Sequence, residues 1–149
     1  LERPNEDVMV KIFEINLTDE QVESIRERVT TVLDNPDYLY NSVSLVTYPI
    51  LKGVKTYKAF TCSEFVATCL TEIGVLNGKE PCQYTPEDLI DALSSYEIYD
   101  GKLDDFISFT TFDERYYAPY RPNTFKRSFM VVVTLCKRTI LRKMYSDAA

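Results

Sequence analysis

The chain has 149 residues, 45% of them hydrophobic, which suits one domain with a buried core. Its formal charge is −6 with a pI near 4.7, which excludes a general nucleic-acid binder, because that function needs a positive face to displace phosphate counterions. The charge is uneven: residues 125–145, FKRSFMVVVTLCKRTILRKMY, hold six basic residues and no acid, which leaves −11 on residues 1–124 once Asp147 is counted.

Cys62, Cys69, Cys82 and Cys136 form no CxxC pair and are too sparse for a disulfide scaffold, so a reducing compartment, the cytoplasm, is the expectation. The chain holds no histidine, and the cysteine spacings match no usual zinc-ligand set, so no metal site and no cofactor is expected. No run of about 18 apolar residues is present. The chain opens LERPNEDVMVKIFEI, without an initiator methionine and almost at once in strand-like sequence, and so reads as a piece of something longer.

Residues 8–17, VMVKIFEINL, place Val8, Val10, Ile12, Ile15 and Leu17 against Lys11, Glu14 and Asn16, which predicts a half-buried strand. Thr18 with Gln21 three residues on predicts a capping box, and Val22, Ile25, Val29, Val32 and Leu33 give the following helix an apolar stripe. Pro36 predicts its end, since the residue before a proline is pushed out of helical geometry. Residues 38–60 are rich in tyrosine and read as a connection with a short helix, ending near Gly53. A helix then starts at Cys62, with Phe65, Val66, Cys69, Leu70 and Ile73 at helical spacing and Gly74 at C′. GVLNGKEPCQY is a loop, and TPEDLIDAL starts a further helix with Thr85 as N-cap and Pro86 at the first helical position. Asp100-Gly101 suggests a hairpin turn between two strands, and SFMVVVTLC, residues 128–136, is the last strand candidate. No internal repeat is visible, and a second domain is not expected.

Cys62 poses the functional question. In the first turn of a helix its sulfur lies near unpaired backbone N–H groups and the positive end of the dipole, both of which stabilise a thiolate, and the same groups can receive an oxyanion. The polar Ser63-Glu64 pair suggests that this turn faces a cleft or solvent, and Tyr57 and Phe60 are candidate pocket walls. The alternative is plain packing, because cysteine is among the most buried residue types. Cys69, inside the apolar stripe, is the example, and Cys82 and Cys136 read as structural too.

TCSEFVATCLTEIGV resembles the nucleophile helix of papain-like cysteine hydrolases in their circularly permuted bacterial form, relatives of the NlpC-like cell-wall endopeptidases and of lecithin–retinol acyltransferase. The similarity runs from VKIFEINLTDEQ through Cys-Ser-Glu-Phe to TPEDLIDAL and YEIYDGKLDDF, most of residues 8–106. It implies an α+β fold in which an antiparallel sheet packs against the helix headed by Cys62. It also implies a thiol hydrolase, peptidase or acyltransferase acting on a peptide, amide or acyl ester through an acyl-Cys62 intermediate, with the backbone N–H groups of Cys62 and Ser63 as oxyanion hole and Tyr57 and Phe60 lining the substrate pocket. In such families an upstream histidine serves as base. None is present here, so the family pattern would put the missing strands before Leu1 and leave this chain catalytically incomplete. The reading from another class is a non-catalytic binding or assembly module that keeps the fold.

The resemblance stops short of residues 125–149, which form a basic C-terminal extension of a single domain over 1–149. KRTILRKMY, residues 137–145, has the pattern of a short basic amphipathic helix for weak contact with an acidic partner or a membrane surface, against a solvated tail that balances the acidic remainder.

Overall fold

The computed structural model describes residues 8–103 and 125–141, with side chains in the last helix from Phe129 onward. The chain is α+β and divides into two compact units, residues 1–16 with 93–122 and residues 17–92 with 123–149.

In the first unit, strand β1 (Met9–Phe13) pairs antiparallel with β4 (Glu97–Lys102), from Met9 opposite Lys102 to Phe13 opposite Glu97, with an irregularity between Ile12 and Phe13. Lys11 ties the pair from its centre, its Nζ lying 2.9 Å from Glu97 and 2.5 Å from Asp100. Asp100-Gly101 is not a hairpin turn: both residues lie inside β4, opposite Lys11 and Val10. The missing side chain at Gly101 gives room to a neighbouring aromatic, since a Cβ there would lie 2.7 Å from the Tyr99 hydroxyl.

The second unit begins with α1 (Asp19–Asp34), capped as its sequence predicts. Thr18 Oγ1 accepts from the Gln21 N–H, and the Gln21 side chain accepts from the Thr18 N–H. The helix ends at Asn35, which is extended ahead of Pro36. Two-residue strands β2 (Leu39–Tyr40) and β3 (Ala59–Phe60) pair in parallel, and each runs straight into a helix, α2 (Ser42–Leu51) and α3 (Cys62–Glu72). An antiparallel pair is present as β1–β4 in the first unit, whereas the strand that leads into the Cys62 helix pairs in parallel with the strand that leads into α2, in place of the antiparallel sheet expected against that helix. α3 ends at Ile73, with Gly74 at φ +79° supplying the left-handed residue that the C′ position favours. A 3-10 turn at Pro81–Gln83 packs on α3, as does α4 (Pro86–Ala92).

Residues 128–136 are not a strand. They lie within helix α5 (Phe125–Ile140). The β-branched run Val131–Val133 favours extended backbone locally, but the inward positions recur at helical spacing: Val131 is half-buried, Leu135 is fully buried, and Arg138 and Thr139 reach the rest of the unit. Packing of that stripe outweighs a propensity difference of under about 1 kcal/mol per residue. The core of this unit is made of Ala59, Ala67, Cys69, Ile73, Leu76, Cys82, Tyr84 and Leu135. Among the described residues no helix is long and apolar enough to cross a membrane.

Candidate functional site

Cys62 is the first residue of α3 because Thr61 caps that helix. Thr61 Oγ1 accepts from the Glu64 N–H at 3.2 Å, and Glu64 Oε2 accepts from the Thr61 N–H at 3.1 Å, a complete capping box. The cap takes up the N–H groups of Thr61 and Glu64 and leaves those between them. The N–H groups of Cys62 and Ser63 make no hydrogen bond among the described residues, so two donors and the positive end of the helix lie beside the Cys62 sulfur.

The sulfur is accessible. Cys62 is exposed and lies in an open groove of about 300 Å³ walled by Val32, Tyr38, Tyr40, Phe60 and Phe65. These rings hold one another: Tyr38 and Phe60 stack with centroids 5.8 Å apart and planes 9° apart, and Phe65 tilts at 58° against Phe60. Cys69 and Cys82 are buried, and burial first of all pushes both thiols up; the Glu72 charge adds to this at Cys69, and those of Glu64 and Glu80 at Cys82. Cys136, which reads as structural in the sequence, is exposed on α5.

The polar face expected of the first turn is divided. Ser63 is half-buried, but Glu64 does not face solvent; it is 3% exposed. Its Oε2 also accepts from Asn41 Nδ2 at 3.4 Å, and burial drives its carboxyl above the usual range, against the opposing pull of the Thr61 N–H, Asn41 and Lys55. Asn41, fully buried, is the N-cap of α2: its Oδ1 accepts from the Ser44 N–H and its Nδ2 donates to the Val54 carbonyl at 3.0 Å. The parallel β2–β3 pair explains the meeting. It brings Asn41 and Thr61, each just past the end of its strand, side by side, so two helix starts share one buried polar cluster.

On the other side of Phe60 lies a larger cavity of about 630 Å³. Tyr57 lines this cavity and not the Cys62 groove, with Lys58 Nζ 5.7 Å from the centre of its ring; Phe60 borders both. Of the two predicted pocket residues, one therefore lies beside the sulfur. The same cavity is bordered by Glu64, Lys55 and Thr71, whose buried hydroxyl oxygen finds no partner among the described residues.

Sequence reading sends Glu64 toward a cleft or solvent and does not single out Asn41. Thr61-x-x-Glu64 ahead of an apolar run is itself a capping-box signature, and it assigns Glu64 to the cap. Asn41 carries no comparable signal toward Glu64, because their contact, 23 residues apart in sequence, depends on the pairing of β2 with β3.

Cys62 lines the groove and Ser63 does not, and among the described residues no Asp, Glu or Lys borders it. No protein-family model, curated protein or solved structure matches this chain. Among the described residues no group of three or more cysteines and carboxylates is placed to hold a metal.

Proposed function

We propose that the chain carries the nucleophile half of a permuted papain-like thiol hydrolase or acyltransferase, with Cys62 as the acyl-accepting residue. The observation that carries this reading is an exposed sulfur at the head of a capped helix, beside the unbonded N–H groups of Cys62 and Ser63 and an aromatic groove. The sulfur attacks the carbonyl carbon of an ester or amide, and the carbonyl oxygen becomes an oxyanion held by those two N–H groups. Collapse breaks the bond to the leaving group and leaves a thioester on Cys62, which water cleaves to the acid and the free thiol. A phenolate leaves without a proton, whereas an amine must receive one, and histidine, the usual donor, is absent from these 149 residues. The papain-like identity of the fold rests on the resemblance of Cys62-Ser63-Glu64-Phe65 and its flanking segments.

The test is incubation with p-nitrophenyl acetate and with the matching anilide, using the chain and Cys62→Ala, with and without added imidazole. We expect an acetyl group on Cys62 by mass spectrometry, slow ester turnover that imidazole accelerates, and no anilide cleavage by the chain alone. Acetylation of Cys136 at the same rate as Cys62 would remove the site from consideration. Anilide cleavage that needs Cys62 but no imidazole would show that another residue of this chain is the base. The competing reading, a binding or assembly module, is favoured by the lack of any histidine in the chain and of any Asp, Glu or Lys among the described residues that border the groove, and it predicts no acetyl transfer to Cys62 at all.

A further inference from the structure

The cavity bordered by Tyr57 is lined by residues of the second unit alone, and its volume of about 630 Å³ is that of a small-molecule site. One wall is a face of α3. Glu64, Thr68 and Thr71 recur at four and three along that helix, where a face turned into the unit is ordinarily apolar. Tyr38, Tyr57, Phe60 and Pro81 supply the apolar part of the lining.

Two polar groups on this face lack partners. Glu64 is 3% exposed, and both hydrogen bonds that its carboxyl accepts, from Thr61 and Asn41, fall on Oε2. Oε1 takes none among the described residues and is not sealed off, so it opens to the cavity that Glu64 lines. The Thr71 hydroxyl oxygen is buried and also finds no partner among the described residues. Buried polar groups are ordinarily paired, so both call for a partner that enters the cavity.

Charge narrows what that partner is. Arg28, Lys55 and Lys58 line the cavity, as do Glu64, Glu72 and Glu80, a balance that favours neither a simple anion nor a simple cation. Local bonding occupies most of these groups. Arg28 pairs with Glu72, Lys58 pairs with Asp37 and lies over the Tyr38 and Tyr57 rings, and Glu80 accepts from the Cys82 thiol. Lys55 is exposed, makes no ion pair or hydrogen bond among the described residues, and acts on Glu64 through space. One carboxyl and one ammonium therefore remain within electrostatic reach of each other, with aromatic rings alongside. A ligand ammonium fits the first, a ligand carboxylate the second, and a ring fits the walls. Thr71 stands two turns from Glu64, about 10 Å along the helix, a distance that an extended tyrosine spans with a hydrogen bond at each end.

We propose that this cavity binds a free aromatic α-amino acid of the tyrosine type, its ammonium on Glu64 Oε1, its carboxylate on Lys55 and its ring hydroxyl on Thr71. The site is independent of the Cys62 chemistry.

The experiment is isothermal titration calorimetry of the 149-residue chain with L-tyrosine, with tyramine, which lacks the carboxylate, and with 3-(4-hydroxyphenyl)propionate, which lacks the ammonium. L-tyrosine should bind, and each analogue should bind about tenfold more weakly or worse, the loss of one charge-assisted hydrogen bond. L-phenylalanine, which leaves Thr71 unpaired, should also be weaker. Lys55→Gln should abolish the preference for tyrosine over tyramine, and Glu64→Gln the preference over the propionate. Circular dichroism checks the fold of each variant, and Lys55→Gln, at an exposed position, keeps the test decisive if Glu64→Gln unfolds. Cys62→Ala should bind tyrosine as the parent does. No binding by the folded chain overturns the proposal, as does tyramine, the propionate or phenylalanine binding as tightly as tyrosine. So does an unchanged preference in folded Lys55→Gln, or loss of binding in Cys62→Ala, which would put the ligand in the other groove.

Discussion

Replacing Glu64 tests whether its buried carboxyl acts as a cap or as a buried charge. In Glu64→Ala, the Thr61 N–H loses its acceptor and Asn41 Nδ2 keeps only the Val54 carbonyl. A lost cap costs about 1 kcal/mol and a buried donor left unpaired about 1–3 kcal/mol; these describe largely the same N–H, and removing a buried charge offsets part of the loss. A net destabilisation of about 2 kcal/mol is expected, read as a lower urea midpoint at unchanged slope in far-ultraviolet circular dichroism. Glu64→Gln keeps an acceptor oxygen for Thr61 and removes the charge. Because burial is the largest influence on the carboxyl and raises it from 4.5, the stability it contributes is fully present below that unfolded value and is lost as pH rises through the folded one. The glutamine variant should therefore match the parent in mild acid and be the more stable of the two at neutral pH. If it is instead less stable at neutral pH than in mild acid, relative to the parent, the ionised carboxylate is a net stabiliser and the argument from burial fails.

Gly53 has φ +105°, and a Cβ on it would lie 2.1 Å from the Cys82 carbonyl oxygen, so Gly53→Ala must move backbone and should cost about 3 kcal/mol or more in urea unfolding. A neutral result would show that the 53–54 and 81–83 segments do not pack as described. Asp88, beside Lys79 and the Thr85 cap, is held down at about 2 from 3.8, with the Lys79 hydrogen bond as the first cause. Its stabilisation is present above 3.8 and is lost as pH falls toward 2; since the Asp88 side chain is partly exposed and Lys79, its partner, more so, Asp88→Asn should cost about 1 kcal/mol at neutral pH, and thermal unfolding of the two proteins should converge in acid.

What the sequence makes legible is what a single element decides for itself. Thr18 with Gln21, Thr85 before Pro86, Pro36 and Gly74 mark helix ends by their own hydrogen bonding or backbone limits, and each stands where its residue type predicts. Features that depend on a partner are harder to read. Asp100-Gly101 has the composition of a turn, yet its pairing with Val10 and Lys11 and the room it leaves for Tyr99 hold it in a strand. Val131–Val133 suggest a strand when the window stops at Cys136; the helical period becomes visible only when Arg138 and Thr139 are included as inward positions, which their charge and polarity conceal. At the site, the place of Cys62 follows from the apolar spacing of α3. The inward turn of Glu64 and its contact with Asn41 do not, because two-residue strands are too short to leave a periodic trace.

The first turn of α3 makes the fold and the candidate chemistry compete for one electrostatic resource. A helix start offers positive potential to one anion cheaply and to a second at a cost. Here Glu64 takes the Thr61 N–H from inside the unit, while the Cys62 and Ser63 N–H groups, on the same turn as the exposed sulfur, find no partner among the described residues. An ionised Glu64 therefore lowers the potential that a Cys62 thiolate or an acyl oxyanion would meet, while a neutral side chain of the same shape would leave the donors in place and lift that penalty. Glu64→Gln should then acetylate faster at Cys62 than the parent chain while keeping its cap. A Glu64→Gln chain that is folded yet slower would mean that the carboxylate aids the sulfur chemistry, as a base or an orienting group, and that the division of this helix start between cap and site has been drawn in the wrong place.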